Sequence, residues 1–126
     1  MSEKKYSKKH EWLEVNDSIA TVGITIHAAA QLGDIVFTEV PAVGKSFKKD
    51  DPAAVVESVK AASDVYSPLT GDIKESNQAI VADPSLINKD PENSGWFFKI
   101  TIKDQNELKD LMNKSDYEKY VIENPN

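Results

Sequence analysis

Val56-Glu57-Ser58-Val59-Lys60-Ala61-Ala62-Ser63-Asp64-Val65-Tyr66-Ser67-Pro68-Leu69-Thr70-Gly71 lies near the middle of a chain of 126 residues. A lysine here interrupts two apolar, strand-like segments, with a carboxylate on each side at Glu57 and Asp64 and small residues at Ala61, Ala62 and Ser63. The spacing predicts a β-hairpin with Lys60 near its tip. Around it, Pro41, Gly44, Pro52, Pro68 and Gly71 cut the middle of the chain into short pieces. Proline and glycine at that density exclude extended helices and favour a many-stranded, turn-rich β domain.

One internal similarity supports that reading. Pro41-Ala42-Val43-Gly44 and Pro68-Leu69-Thr70-Gly71 share Pro-x-x-Gly at an offset of 27 residues. Phe47 and then Ala53 to Val56 follow the first, and Ile73 and then Ala79 to Ala82 follow the second. If these are related β units, Glu57 to Ser67 is the link between them, and Lys60 sits on that link.

Toward the N-terminus, Glu11 to Val15 alternates, with Trp12 pointing outward from Glu11 and Leu13, before a turn at Asn16-Asp17-Ser18 and a second alternating run, Ile19 to Ile24. This predicts a hairpin. Thr25 then stands as an N-cap, Ile26 to Leu32 as a brief helix and Gly33 as its close. Beyond the middle section, Trp96 to Ile102 reads as a final strand. Two short helices should follow, opened by the capping-box spacings Asp104-x-x-Glu107 and Ser115-x-x-Glu118. Asn124-Pro125-Asn126 reads as a frayed end.

Composition narrows the function classes. The chain is 40% hydrophobic and 29% charged, enough for one domain spanning residues 1–126 and too little for two. The longest apolar runs are four residues, so no membrane span is expected, and the lysine-rich N-terminus has no apolar region behind it to act as a secretory signal. A cytoplasmic, prokaryotic protein is the expectation. All fifteen basic residues are lysines and the net charge is −6, which disfavours nucleic acid as a partner and argues against a retained, arginine-rich mitochondrial presequence. With no cysteine there is no disulfide framework, zinc-thiolate site or cysteine nucleophile.

Motifs for catalysis are equally scarce. His10-Glu11-Trp12-Leu13-Glu14 opens like H-E-x-x-H, yet position 14 is Glu and the stretch alternates as a strand does, so no metal site is expected. His10 and His27 read as structural or surface residues, Trp96, Phe97 and Phe98 as packing, and Asp50, Asp51, Asp83, Asp90 and Glu92 as acids that keep turns solvated. No catalytic residue is assigned. Lys60 could be an ordinary hairpin tip, but an amine presented on a tight turn among small neighbours also suits enzymatic acylation.

The run from Val56 to Gly71 resembles the lipoyl-attachment motif of the glycine cleavage system H proteins. Lys9-His10-Glu11-Trp12, Ala20 to Thr25, Leu32 to Phe37, Pro84 to Asn88 and Gly95 to Ile100 match the same family in the same order, so the resemblance runs from about Tyr6 to Tyr120. Biotinyl domains place Met on both sides of the lysine and acyltransferase lipoyl domains place Asp before it, whereas Val59 and Ala61 stand here. Local departures are Asp50-Asp51-Pro52-Ala53-Ala54, in place of a Gly-containing turn, and Ala28-Ala29-Ala30, in place of a more polar helix face.

The resemblance implies a mainly β, lipoyl-domain-like barrel-sandwich hybrid, with an N-terminal hairpin and short helix and two short C-terminal helices. It implies a carrier rather than an enzyme, with lipoate held covalently as N6-lipoyllysine at Lys60. The implied partners are the pyridoxal-phosphate glycine decarboxylase (P protein), the tetrahydrofolate-dependent aminomethyltransferase (T protein) and dihydrolipoamide dehydrogenase (L protein). A lipoyl ligase or lipoyl/octanoyl transferase would modify the lysine. The missing cysteine is then explained, because the reacting sulfurs belong to the cofactor. By motif match, Glu11 and Asp64 are the carboxylates of a cleft that receives the loaded arm. A lipoyl-relay protein, donating lipoyl groups to other lipoate-dependent complexes, is the alternative, and an unmodified β-domain adaptor a third possibility.

Overall fold

The structure, a computed structural model, describes residues 3–124. Nine strands form two sheets among these residues. β1 (Glu3–Tyr6), β2 (Glu11–Asn16), β3 (Ile19–Ile24), β9 (Phe98–Ile102), β8 (Gly71–Ser76) and β5 (Ser46–Phe47) lie side by side in that order. β4 (Ile35–Glu39), β6 (Pro52–Ser58) and β7 (Ala62–Tyr66) form the second sheet, also in that order. Every strand pairing is antiparallel, and neither sheet closes into a barrel among the described residues. The many-stranded β domain expected from the turn-rich sequence is therefore present, as two sheets that fit the sandwich the resemblance implied.

Leu13, Val22, Val56, Val65, Leu69, Ile73, Ile80, Ile87, Phe97, Phe98 and Ile100 are buried together in the main core, which draws side chains from both sheets. Phe97 and Phe98 are packing residues, as expected.

The N-terminal hairpin closes through Asn16 opposite Ile19, with Asp17 in the left-handed region at φ 57°. Aspartate tolerates that conformation better than most side chains. Trp12 does face away from Glu11 and Leu13, but it is not exposed. It packs with Tyr6 and Tyr117 in a second cluster and donates from Nε1 to the carbonyl of Pro91 at 2.9 Å. Its cross-strand partner is Gly23, where a Cβ would lie 2.7 Å from the indole nitrogen. The hydrophobic alternation of β2 is real; what it could not reveal is that the C-terminal segment covers the second face.

Helix α1 (Ile26–Leu32) follows as predicted. Thr25 accepts from the amide of Ala28, and Gly33 ends the helix at φ 80°. Two further helices, α2 (Gln78–Ala82) and α3 (Ser85–Lys89), occupy the stretch where the internal similarity placed a second apolar β run. The proposed repeat stops there: Ala53 to Val56 lies in β6, whereas Ala79 to Ala82 is helical. Asn77 explains the difference, because its side chain accepts from the amide of Ala79 and nucleates a turn instead of a strand.

The C-terminal third differs in detail. The last strand starts at Phe98, not Trp96. The first expected helix is a 3-10 turn over Gln105–Asp110, capped by Asp104, and Glu107 does not complete a capping box. Its carboxylate instead accepts from the amide and hydroxyl of Thr70, each at 2.7 Å, tying this turn to the loop after β7. The second is α4 (Lys114–Glu123), capped by Asn113 rather than Ser115, since Asn113 Oδ1 accepts from the amide of Asp116. Asn124 is the C-cap of α4, while the other two residues of the supposed frayed end, Pro125 and Asn126, lie outside the described residues.

Candidate functional site

Lys60 stands at the exposed tip of the β6–β7 hairpin. Glu57 pairs with Ala62, and the Ser58 amide donates to the carbonyl of Ala61 at 2.8 Å, leaving Val59 and Lys60 as the loop. Two-residue hairpins usually rely on residues with positive φ. Neither Val59 nor Lys60 has one. The Ser58 hydroxyl substitutes: its oxygen accepts from the amides of Lys60 and Ala61, both at 3.1 Å. The turn is thus held by the serine two residues before the lysine.

A floor supports the turn from below. The Val59 amide donates to the carbonyl of Asp34 at 3.0 Å. The aliphatic stem of Lys60 lies over Gly33, where a Cβ would come within 3.2 Å of Cε. Asn88, on α3, clamps that loop from the other side, donating to the carbonyl of Gly33 and accepting from the amide of Ile35, each at 2.9 Å. Sequence reading did not single out Gly33 or Asn88 in this role, because the contacts join segments that are far apart in the chain.

Beside this floor opens a cleft of about 300 Å³ bordered by Leu32, Gln31, His10, Glu11, Lys9 and Asp64, among others. Glu11 and Asp64 therefore border one cleft, but in unlike settings. Glu11 is only 2% exposed. One carboxylate oxygen accepts from the Ser7 hydroxyl at 2.7 Å, and the other faces the Tyr66 amide at 3.4 Å. Burial outweighs these donors and the nearby Lys9, so the carboxyl is pushed up to about 7 from its ordinary 4.5. Asp64 is exposed at the rim. Its cross-strand partner is Val55, which puts it on the opposite side of the sheet from the inward-facing Val56 and Val65.

Lys9 completes the rim, 3.7 Å from Asp50 and 4.1 Å from the centre of the Tyr66 ring. Asp50, part of the departure from the Gly-containing turn, occupies the left-handed region at φ 74° that a glycine would take freely. His10 has a structural role: Nδ1 shares a 2.8 Å hydrogen bond with the Tyr117 hydroxyl, and the ring sits 4.8 Å from that of His27. Burial first, and then His27, hold its pKa below the usual histidine value. Tyr117 also bonds Thr25 Oγ1 at 2.8 Å, linking α4 to the start of α1.

Glu92 is more than the solvated turn acid its sequence setting suggests: it accepts from the amide of Ile26 at 2.9 Å and so serves the N-terminus of α1. A larger cavity, about 620 Å³, lies between Tyr6, Ile26, His27, Glu92, Tyr117 and Ile122. Lys60, Glu11 and Asp64 do not border it. Among the described residues, no group of three or more His, Cys, Asp or Glu side chains could hold a metal ion, and no helix is long and apolar enough to cross a membrane. The residues do fit a covalent arm: an exposed amine on a braced turn, with a cleft beside it that is apolar along Leu32 and acidic at Glu11.

The sequence profile of the family described as Glycine cleavage H-protein matches residues 4–124. A glycine cleavage system H protein from Thermotoga maritima is 52% identical over 123 residues, covering 98% of this chain and 99% of its own. One from Bradyrhizobium diazoefficiens is 52% identical over 116 residues, covering 92% and 95%. Among solved structures, the crystal structure of a glycine cleavage system H protein from Mycobacterium marinum superposes with a TM-score of 0.86 at 32% identity, covering 98% of each chain.

Proposed function

This chain belongs to the glycine cleavage H-protein family, and from that membership we propose that Lys60 is the residue that carries lipoate, amide-linked as N6-lipoyllysine. The protein is a lipoyl carrier of the glycine cleavage system. The placement of Lys60 at the exposed tip of a hairpin braced by Ser58 and Asp34 is the observation that carries the assignment. Lipoate would supply there a disulfide that takes up the aminomethyl group of glycine and passes it on toward tetrahydrofolate.

The chain's own residues position and shield. The Ser58 hydroxyl and the Asp34 carbonyl hold the turn so that Lys60 stays exposed at its tip. Leu32 lends apolar wall to the cleft, and Glu11 places a carboxylate there in a largely water-excluded setting, where attraction to a cationic amine is strongest. Asp64 adds a weaker, solvent-screened charge at the rim. Membership of the glycine cleavage system implies the P, T and L proteins as partners. A lipoyl ligase or lipoyl/octanoyl transferase as modifying enzyme, a cytoplasmic location and a single carrier domain over 1–126 complete the reading.

Intact-mass measurement on protein from its native source, followed by peptide mapping, tests it. One lipoyl addition at Lys60 is expected, and lipoate on any other lysine overturns the assignment. Steady-state turnover of glycine by the isolated chain, without partner enzymes, would contradict the role of carrier.

A further inference from the structure

Three large apolar side chains are exposed around the Lys60 turn. Val36 is 57% exposed, Phe37 46% and Val59 67%. The cause for the first two is a register shift in β4: Ile35 opposes Ser58 and Phe37 opposes Glu57, so Val36 is an extra residue between them. Such a bulge breaks the alternation that would have turned one of the two inward. Ile35 and Thr38 still face the core, while Val36 and Phe37 both remain outside.

A bulge on an edge strand discourages pairing with another chain, but that role does not require apolar side chains. Val59 adjoins Lys60, and the register places Phe37, Glu57 and Ala62 in one row across the outer face, next to the turn. Glu39, Val55 and Asp64 form the row behind. Asp34, also exposed, holds the turn through its carbonyl. The result is an apolar patch that adjoins the lysine and is bordered by four carboxylates.

The geometry points to this patch, centred on Val36, Phe37 and Val59, as the docking surface for the enzyme that acylates Lys60, through an apolar face rimmed with basic side chains. The inference rests on the assignment of Lys60 as the attachment site. Reach decides between partners. To form the amide, an enzyme must bring an activated acyl carbonyl to the Lys60 nitrogen, which attacks it as the leaving group departs with its electron pair and the amine loses a proton. That nitrogen is one side chain away from the turn, so the enzyme must cover the turn and what adjoins it. Enzymes that act after modification meet sulfurs at the far end of the arm and have no such need. Clustered exposed apolar side chains with a charged rim are the usual mark of a protein contact, and the acidic border selects a basic partner.

The test measures Lys60 acylation by a lipoate–protein ligase with lipoate and ATP, using mass spectrometry, for the unmodified wild type, Val36→Ser/Phe37→Ser, Phe37→Leu and Ile122→Ser. Ile122, 80% exposed on α4, is the control for loss of any exposed apolar side chain. The double variant should lose about tenfold or more in kcat/KM, chiefly through KM, Phe37→Leu, which keeps an apolar side chain, should lose clearly less, and Ile122→Ser should stay close to wild type. Rising salt should raise KM for all. Double variant driven to full modification by prolonged incubation should support glycine cleavage within about twofold of wild type. Equal acylation of wild type and double variant overturns the inference, as does an equal defect of the fully modified variant in glycine cleavage, which would give the patch to the later partners. A wild-type chain not acylated at Lys60 instead overturns the attachment site itself.

Discussion

The Lys60 hairpin and the Glu11 corner lie on either side of one cleft and are built in opposite ways. The hairpin tip is held chiefly by local bonds, with one brace from the distant Asp34 carbonyl: the Ser58 hydroxyl, two residues before the lysine, takes the amides of Lys60 and Ala61, and the tip is exposed. The corner is assembled from distant segments, with Ser7 and Tyr66 at the Glu11 carboxylate and Tyr117 at the neighbouring His10. An exposed local turn can change its side chain with little consequence for the fold, so it suits a residue that must be modified by another protein. A buried, long-range corner alters the chemistry of whatever charge it holds.

Substitution of Lys60 should produce the largest separation of the two regions. Lys60→Arg keeps a cation but cannot form the amide, so intact mass should show no lipoylation. Its melting temperature should stay within about 2 °C of wild type, since exposed positions change stability by less than about 0.5 kcal/mol. A large loss of stability would mean that the turn is not the independent element described.

Glu11 should show the reverse pattern. Its carboxyl, at about 7 in the folded chain against an ordinary 4.5, keeps a proton between those values that the unfolded chain releases. This group therefore lowers stability as pH rises from about 4.5 to 7 and contributes no further slope above that range. At about 1.4 kcal/mol for each pH unit, the loss is on the order of 3 kcal/mol at most. Denaturant titrations at pH 4.5 and 8 should show Glu11→Gln without this decline. An identical pH dependence in wild type and variant would remove the burial argument.

Tyr117→Phe probes the long-range frame rather than the charge. It deletes the hydroxyl shared by His10 and Thr25. The expected cost is about 1–3 kcal/mol in denaturant unfolding, with the rate of Lys60 acylation unchanged. A slowed acylation would show that the two regions are not separable.

The smallest effects compare the two carboxylates. At pH 8, where Glu11 is mostly ionised, Glu11→Gln should speed formaldehyde release from the aminomethyl-loaded carrier several-fold. Asp64→Asn should change it by about twofold or less, because an exposed pair is worth about 0–1 kcal/mol. Added salt should erase the Asp64 effect first. Equal release from all three proteins would refute a shielding role for either acid.

Much of this molecule is legible in its sequence. The hairpin through Asn16-Asp17-Ser18, the helix from Thr25 to Gly33 and the lysine turn each carry their instructions within a few residues, as caps, turn formers and alternation. The failures have one cause. Ala79 to Ala82 is an apolar run that could be strand or helix, and Glu107 matched a capping box, yet it was drawn to Thr70 from another part of the chain.

By itself the sequence determined a mainly β domain with Lys60 on a tight turn, because turn chemistry and hydrophobic period act over neighbouring residues; the carrier role came from its resemblance to the H-protein family. Only tertiary structure decided that Glu11 is buried and its carboxyl raised while Asp64 stays in solvent, that Gly33 and Asn88 lie beneath the lysine, and that Val36 and Phe37 share the outer face. Desolvation, long-range hydrogen bonds and strand register depend on which distant segments meet, and that pairing is a property of the whole fold.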